Sequence, residues 1–339
     1  MCRGFLVALF GIGALVLSPA QSEGEWRDSD GAWDLGSDVE MAGEMDSWAV
    51  AADMETHEVA ANDSGGPMLD MSMTEDFTTK FARPVTNLNF NHPFIWNEFR
   101  PVFIHQDFPD DSALAGGDVQ VYAAQIWLKL TDRLQLIADK DGYINFNPGG
   151  LPDQTGWADL AAGLKYNLVT DPAQEFVLSG GFTYEWTQGS GDVFQGQGDG
   201  IWDVFLSVAK GCGRTHFIGT AGFEIPQDSS EDSTAFHYHA HFDYDLCPQF
   251  IPLVELNGYH YLDNGARNGG LGAPLDFEGF DLTSFGSSNV EGNDVVTLGV
   301  GFRTPINRCT SFGAAYEWTL TEREDLFDDR ITCDLSYRF

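Results

Sequence analysis

Three histidines at alternate positions, His237, His239 and His241, are followed in the same rhythm by Asp243 and Asp245. On an extended chain rising about 3.3 Å per residue, every second side chain shares a face, which sets neighbouring imidazoles about 6.6–7 Å apart. Rings at that spacing can share a borderline divalent cation only by leaning together, with Asp243, Asp245 or Glu255 of the next segment supplying oxygen. The plainer reading is preferred: a wet, titratable lining, since rows of polar side chains are what a hydrated lumen carries. Neither a metal nor a cofactor is expected.

The same assignment of faces turns further ionisable residues inward. Asp159, Glu185, Asp203, Glu224, Glu317 and Asp334 outnumber Lys129, Lys165, Arg303 and Arg338. Excess acid predicts a passage that favours cations over anions. Pairing of acid with base across the interior would plug it instead, and both outcomes are open for a barrel between the filled eight-strand and the open sixteen-strand sizes. Among the mature cysteines, Cys212 and Cys247 fall in neighbouring turns where they can meet, and in an oxidising compartment one disulfide at most is expected. No Gly-x-Ser-x-Gly or His-Glu-x-x-His motif stands out, so no catalytic residue is assigned and no enzyme activity is expected.

What must position these side chains is a period of two. In the terminal run, Ile331, Cys333, Leu335, Tyr337 and Phe339 alternate with Thr332, Asp334, Ser336 and Arg338. Phe236, Tyr238, Ala240, Phe242, Tyr244 and Leu246 alternate with the histidine row, and similar splits recur at 176–187 and 312–321. Alternation of this kind predicts twelve strands, at 99–107, 118–130, 134–146, 155–168, 175–188, 200–210, 214–225, 233–246, 250–262, 293–304, 311–321 and 329–339. Short turn-like connections alternate with longer polar ones, the longest at 263–292. That asymmetry, with Trp186, Trp202, Trp318 and Tyr337 near strand ends as interfacial girdles, predicts an all-β transmembrane antiparallel barrel with both termini on the short-turn, periplasmic side. A secreted soluble β-sandwich also alternates, but its strands are mostly shorter, about five to six residues.

Residues 1–20 form a secretory signal: Arg3 precedes an apolar run from Phe5 to Leu17, and Ser18-Pro19-Ala20 offers a cleavage site near Ala20. The run is too short to span a bilayer, which takes about twenty apolar residues, and nothing else in the chain is long enough. Residues 21–80, with 16 acidic against 2 basic residues and no sustained period, are expected to be a disordered acidic arm. Met68, Met71 and Met73 within it lack a scaffold that would fix a copper geometry. Residues 81–339 form the barrel. The net charge of −35 excludes nucleic acid as a partner. Expected partners are outer-membrane lipid, small solutes and, through the C-terminal strand, the outer-membrane insertion machinery.

Gly117-Asp118-Val119-Gln120-Val121-Tyr122, Lys140-Asp141-Gly142-Tyr143-Ile144, the stretch Gly156-Trp157-Ala158-Asp159-Leu160-Ala161-Ala162-Gly163-Leu164-Lys165-Tyr166 and the final strand carry a resemblance. Over about residues 84–339 the chain resembles bacterial outer-membrane β-barrels, and more narrowly is similar to the transporters grouped with the meta-pathway phenol-degradation family. The resemblance implies an uptake or efflux pore for small molecules, aromatic ones among them, and supplies no catalytic motif. The acidic arm departs from the family pattern. Diffusion of small solutes through an acidic polar lumen is the first expectation. A non-conducting envelope barrel acting in structure or adhesion through its 263–292 loop is the second, and a secreted binding sandwich the third.

Overall fold

In the computed structural model the described residues are 77–271, 273–322 and 325–339. The signal sequence, the methionine cluster and the arm as far as residue 76 lie outside them. Fourteen strand segments follow in order: β1 (Glu98–Asp107), β2 (Gly117–Lys129), β3 (Leu134–Lys140), β4 (Tyr143–Pro148), β5 (Gln154–Trp157), β6 (Leu160–Asp171), β7 (Phe176–Trp186), β8 (Ile201–Cys212), β9 (Thr215–Pro226), β10 (Thr234–Tyr244), β11 (Ile251–Asp263), β12 (Asp294–Pro305), β13 (Thr310–Thr319) and β14 (Asp329–Arg338). Neighbouring segments pair antiparallel around a ring, with β2 pairing both β3 and β4 and with β3 pairing β6, and β1 closes on β14 through Phe99 opposite Tyr337 and His105 opposite Ile331. The result is a closed barrel of twelve strands, because β3 with β4, and β5 with β6, each make up one interrupted strand.

Closure leaves the sheet without an open edge, the condition for it to stand in lipid. The alternation then sorts side chains. Phe182, Leu206, Phe223, Tyr316, Ile331 and Leu335 are exposed on the outside, while Thr183, Ser207, Glu317 and Asp334 on the opposite parity are buried. Trp186, Trp202 and Tyr337 are exposed near strand ends, as expected for a girdle.

Two expectations need correction. The strands read as continuous over 134–146 and 155–168 are each broken, the first at Asp141-Gly142 and the second at Ala158-Asp159. Gly142 has φ of 136°, and a Cβ there would lie 2.7 Å from the Tyr122 carbonyl oxygen, so only glycine fits. The Asp141 side chain accepts the Ala124 N–H at 2.8 Å, replacing a lost ladder bond. The second correction concerns polarity. On β1, β2 and β4 the inner face towards the long-loop end is apolar (Val102, Ile104, Val119, Val121, Ile144, Phe146), because apolar loop side chains, not water, fill that sector.

A cation on the outer face tests the lipid-facing assignment. Leu206→Lys, mid-way along β8, is expected to destabilise the barrel by about 2–4 kcal/mol, measured by urea unfolding in lipid vesicles.

Candidate functional site

Residues 77–97 run through the barrel interior. Phe77–Lys80 is a single 3₁₀ turn at the short-turn end, where Lys80 pairs with Glu175 of the β6–β7 turn. From there the chain reaches Leu88, whose N–H donates to Asp281 of the long 264–293 connection at 2.8 Å. It returns to Asn97, whose carbonyl accepts from Phe339. Residues 77–80, expected to belong to the disordered arm, are therefore part of this ordered segment.

Beyond its first turn the segment is neither helix nor strand, so its buried backbone groups must bond to side chains. The wall supplies these. Asp243 accepts from Ala82 N at 3.1 Å, and Glu255 from Val85 N and Thr86 N at 2.8 and 2.7 Å. Arg303 donates to the Arg83 carbonyl, Arg100 to that of Val85, Lys165 to that of His92 and Ser179 to that of Pro93, at 2.6–2.9 Å. Ser207 and Thr220 both donate to the Asn91 carbonyl and Gln135 to that of Trp96. With Arg83 on Glu98 and Gln125, the segment bonds to ten of the twelve wall strands.

The histidine row leans together as its spacing allows, but every ring nitrogen is engaged. His237 bonds Asp203 at 2.8 Å and His239 at 3.0 Å; His239 also bonds Asn257 at 2.9 Å. His241 sits between Glu255 at 2.7 Å and Asp243 at 3.1 Å. A ring whose two nitrogens both serve protein partners has none left for an ion. The row is instead a hydrogen-bonded support behind Phe90, which stacks on His239.

The expected lining residues are mostly paired. Glu185 holds Lys140 at 2.8 Å, Glu224 accepts from Asn89, and Asp334 takes Arg303 and Arg100 together. Lys165 also lies 4.1 Å from the centre of the Trp127 ring, and the Arg338 guanidinium stacks on Trp96. Glu317 bonds Asn257 and Thr297, and Asp159 accepts the Gly189 and Gly196 N–H groups of the 187–200 loop. Asp245, one residue beyond β10, is partly exposed at the short-turn mouth, whereas Asp243 within the strand is buried. The expected Cys212–Cys247 bridge is not formed, since Cys247 is a free thiol. Cys212 ends β8 on its outward parity, whereas Cys247 is exposed in the turn beyond β10.

Several residues escaped sequence reading. Arg100, Gln125 and Arg330 stand on inward parity in β1, β2 and β14 and were legible there. Arg83, Thr86 and Asp281 lie in aperiodic segments that carry no such signal. Arg330 grips Asp281 through both terminal nitrogens, at 2.7 and 3.1 Å, and Gln106 through Nε at 3.0 Å. At Asp281 the inner segment meets the long connection, whose Leu275, Phe277, Leu282 and Phe285 pack inward on β1, β2 and β4. Glu278 anchors this fold by accepting from Phe285 N, Ser287 N and Ser233. Between these elements the lumen retains a cavity of about 40 Å³ beside Glu185, Asp203 and Glu224. Outside the strand breaks, a larger concavity of about 780 Å³ opens towards lipid, lined by Tyr122, Ala124, Gly142, Trp157 and Leu160.

No family model matches the chain, and no curated protein does. Among solved structures, the chain is similar to the COG4313 outer membrane channel from Pseudomonas putida F1, at 12% identity and a TM-score of 0.53, over 76% of this chain and 100% of that one. The NanC porin (7% identity, 72% and 100% covered, TM-score 0.46) and the KdgM porin (11%, 71% and 99%, 0.41) fall below the level at which likeness carries weight. The first likeness establishes a shared outer-membrane barrel fold.

Removing the Arg330 cation should strand Asp281 as an uncompensated buried charge. Arg330→Met is expected to cost about 3–5 kcal/mol in urea unfolding, with Asp281→Asn in the same chain recovering part of the loss. Burial pushes the Glu278 carboxyl up to about 7, even against its three donors. A raised carboxyl binds its proton more tightly in the folded state, so its contribution is full below about pH 4.5 and is lost as pH climbs to about 7. The melting temperature of Glu278→Gln should accordingly fall less than that of the parent over this window.

Proposed function

We propose that the chain is an outer-membrane channel for small solutes, held shut by its own residues 77–97 and by the inward-folded 264–293 connection. The observation that carries this reading is how the interior is filled. A wall needing only to be solid can fill itself with its own side chains, as eight-strand barrels do. Here a separate segment, covalently tied to the wall at Asn97, occupies the axis through reversible hydrogen bonds to polar side chains. Its withdrawal exposes a hydrated lining in which Asp159, Glu185, Asp203, Glu224, Asp243, Glu255, Glu317 and Asp334 outnumber Arg100, Lys140, Lys165, Arg303 and Arg330, so small cations are favoured over anions.

The lipid-side concavity supports the narrower resemblance to transporters of the phenol-degradation group. The three internal stretches that carry that resemblance, 117–122, 140–144 and 156–166, converge at the strand breaks. The apolar lining of the concavity fits a small aromatic solute arriving from the membrane. Delivery to the envelope by the N-terminal signal, with the C-terminal strand addressed to the insertion machinery, belongs to the same reading.

A Cβ on Gly299 would lie 2.8 Å from the Thr86 Cγ2 atom, close enough for a cysteine pair to tether the inner segment to β12. In a background with the native cysteines changed to serine, Thr86→Cys with Gly299→Cys is expected to silence planar-bilayer conductance when oxidised. Reductant should restore cation-selective openings at least about tenfold more frequent. Absence of openings in both states, or openings indifferent to the tether, would refute the proposal.

A further inference from the structure

The lumen row leaves no ring nitrogen spare, yet one histidine beside it does. His216, second residue of β9, is fully buried, and its Nδ1–H donates to Asp243 Oδ1 at 2.7 Å. Its Nε2 has no hydrogen-bond partner. That nitrogen faces Asp245 Oδ2 across 3.9 Å, too far for a hydrogen bond. Two ligands on a tetrahedral ion at bond lengths of about 2.0–2.1 Å stand about 3.4 Å apart, so a small rotation of the half-exposed Asp245 side chain would seat an ion between them.

We propose that His216 Nε2 and the Asp245 carboxylate hold a zinc-class divalent cation at the short-turn mouth of the barrel, with Asp243 positioning the imidazole. The second carboxylate is what gives the arrangement its chemical sense. A histidine that ligates a metal through one nitrogen characteristically donates its other N–H to a carboxylate, which fixes the tautomer and raises ligand basicity. Asp243 stands in that place and is itself held by Ala82 N and His241 Nε2. His216 and the two aspartates bring candidate ligand atoms within 4.8 Å of one another.

The cations nearby attract the Asp245 carboxylate through space but bond to other partners as well. Arg214 donates to the Asp245 and Leu246 carbonyls and lies over the Tyr244 ring, and Lys80 pairs with Glu175. The exposed side of Asp245 leaves room for water to complete the coordination. A nitrogen and carboxylate donor pair favours zinc and its neighbours over calcium or magnesium, which prefer all-oxygen shells. Because Phe81 packs on the His216 ring and Ala82 bonds Asp243, the ion would brace the wall where the inner segment enters.

The inference does not depend on conduction, and its test measures binding alone. The untagged full chain in detergent, stripped of metal, is titrated with Zn²⁺ in competition with a chromophoric chelator, and with Co²⁺ followed by its visible absorption. One Zn²⁺ per chain is expected, with an affinity unmoved by excess Ca²⁺ or Mg²⁺. His216→Gln and Asp245→Asn should each weaken binding at least tenfold, and Asp243→Asn by about 10–100-fold. His105→Gln with His260→Gln, which removes the two partly exposed histidines among the described residues, should leave it unchanged. Asp245 is peripheral, so its variant keeps the heat-modifiable gel migration that reports a folded barrel. No binding by the parent chain, or equal binding by a folded Asp245→Asn variant, would overturn the assignment and leave His216 an ordinary buried imidazole.

Discussion

A chain that crosses lipid as strands must leave no backbone group unpaired along its wall. The ladder between β1 and β14 is where that requirement is met, since it removes the two edges that twelve strands would otherwise present. Once the ring is closed, the period of two acquires a fixed meaning. One parity faces hydrocarbon and the other is locked into an interior whose dimensions are set by strand number. Everything inside must then be solved within that interior.

The solution combines two polar problems that answer each other. An aperiodic segment brings unpaired N–H and C=O groups into a space with little water, at about 1–3 kcal/mol for each group left unsatisfied. The wall brings carboxylates, arginines, serines and imidazoles that would themselves be unpaired. Glu255 illustrates the match: one carboxylate receives two successive backbone N–H groups, a threonine hydroxyl and a histidine. Asp334, between Arg100 and Arg303, does the same for charge. These residues are buried ion pairs whose value lies in fixing the path of the inner segment as much as in net stability.

The barrel was legible in the sequence wherever alternation ran unbroken. Phe236 to Leu246 and the run to Phe339 announce both faces of the wall, and most acids and bases that parity turns inward are buried. Polarity along the inner face was less legible, because an apolar inner residue such as Ile104 or Val121 reads like any strand residue until the loop that covers it is known. Asp141-Gly142 inside an alternating run was a visible sign of a break. The inner segment itself had no sign, since Arg83, Thr86 and Leu88 take their places from the wall and not from any periodicity of their own. The pairing that makes His216 distinctive needed three-dimensional neighbours, because its partners lie 27 and 29 residues away.

The location of residues 77–97 constrains biogenesis. A segment bonded to ten staves of a hooped cask is most readily laid in while the staves are half-built, before the first and final ones join. Entry after the last seam is sealed would have to retrace, bond by bond, the withdrawal proposed for opening. A late or misplaced segment would then leave a sound-looking vessel with the wrong contents.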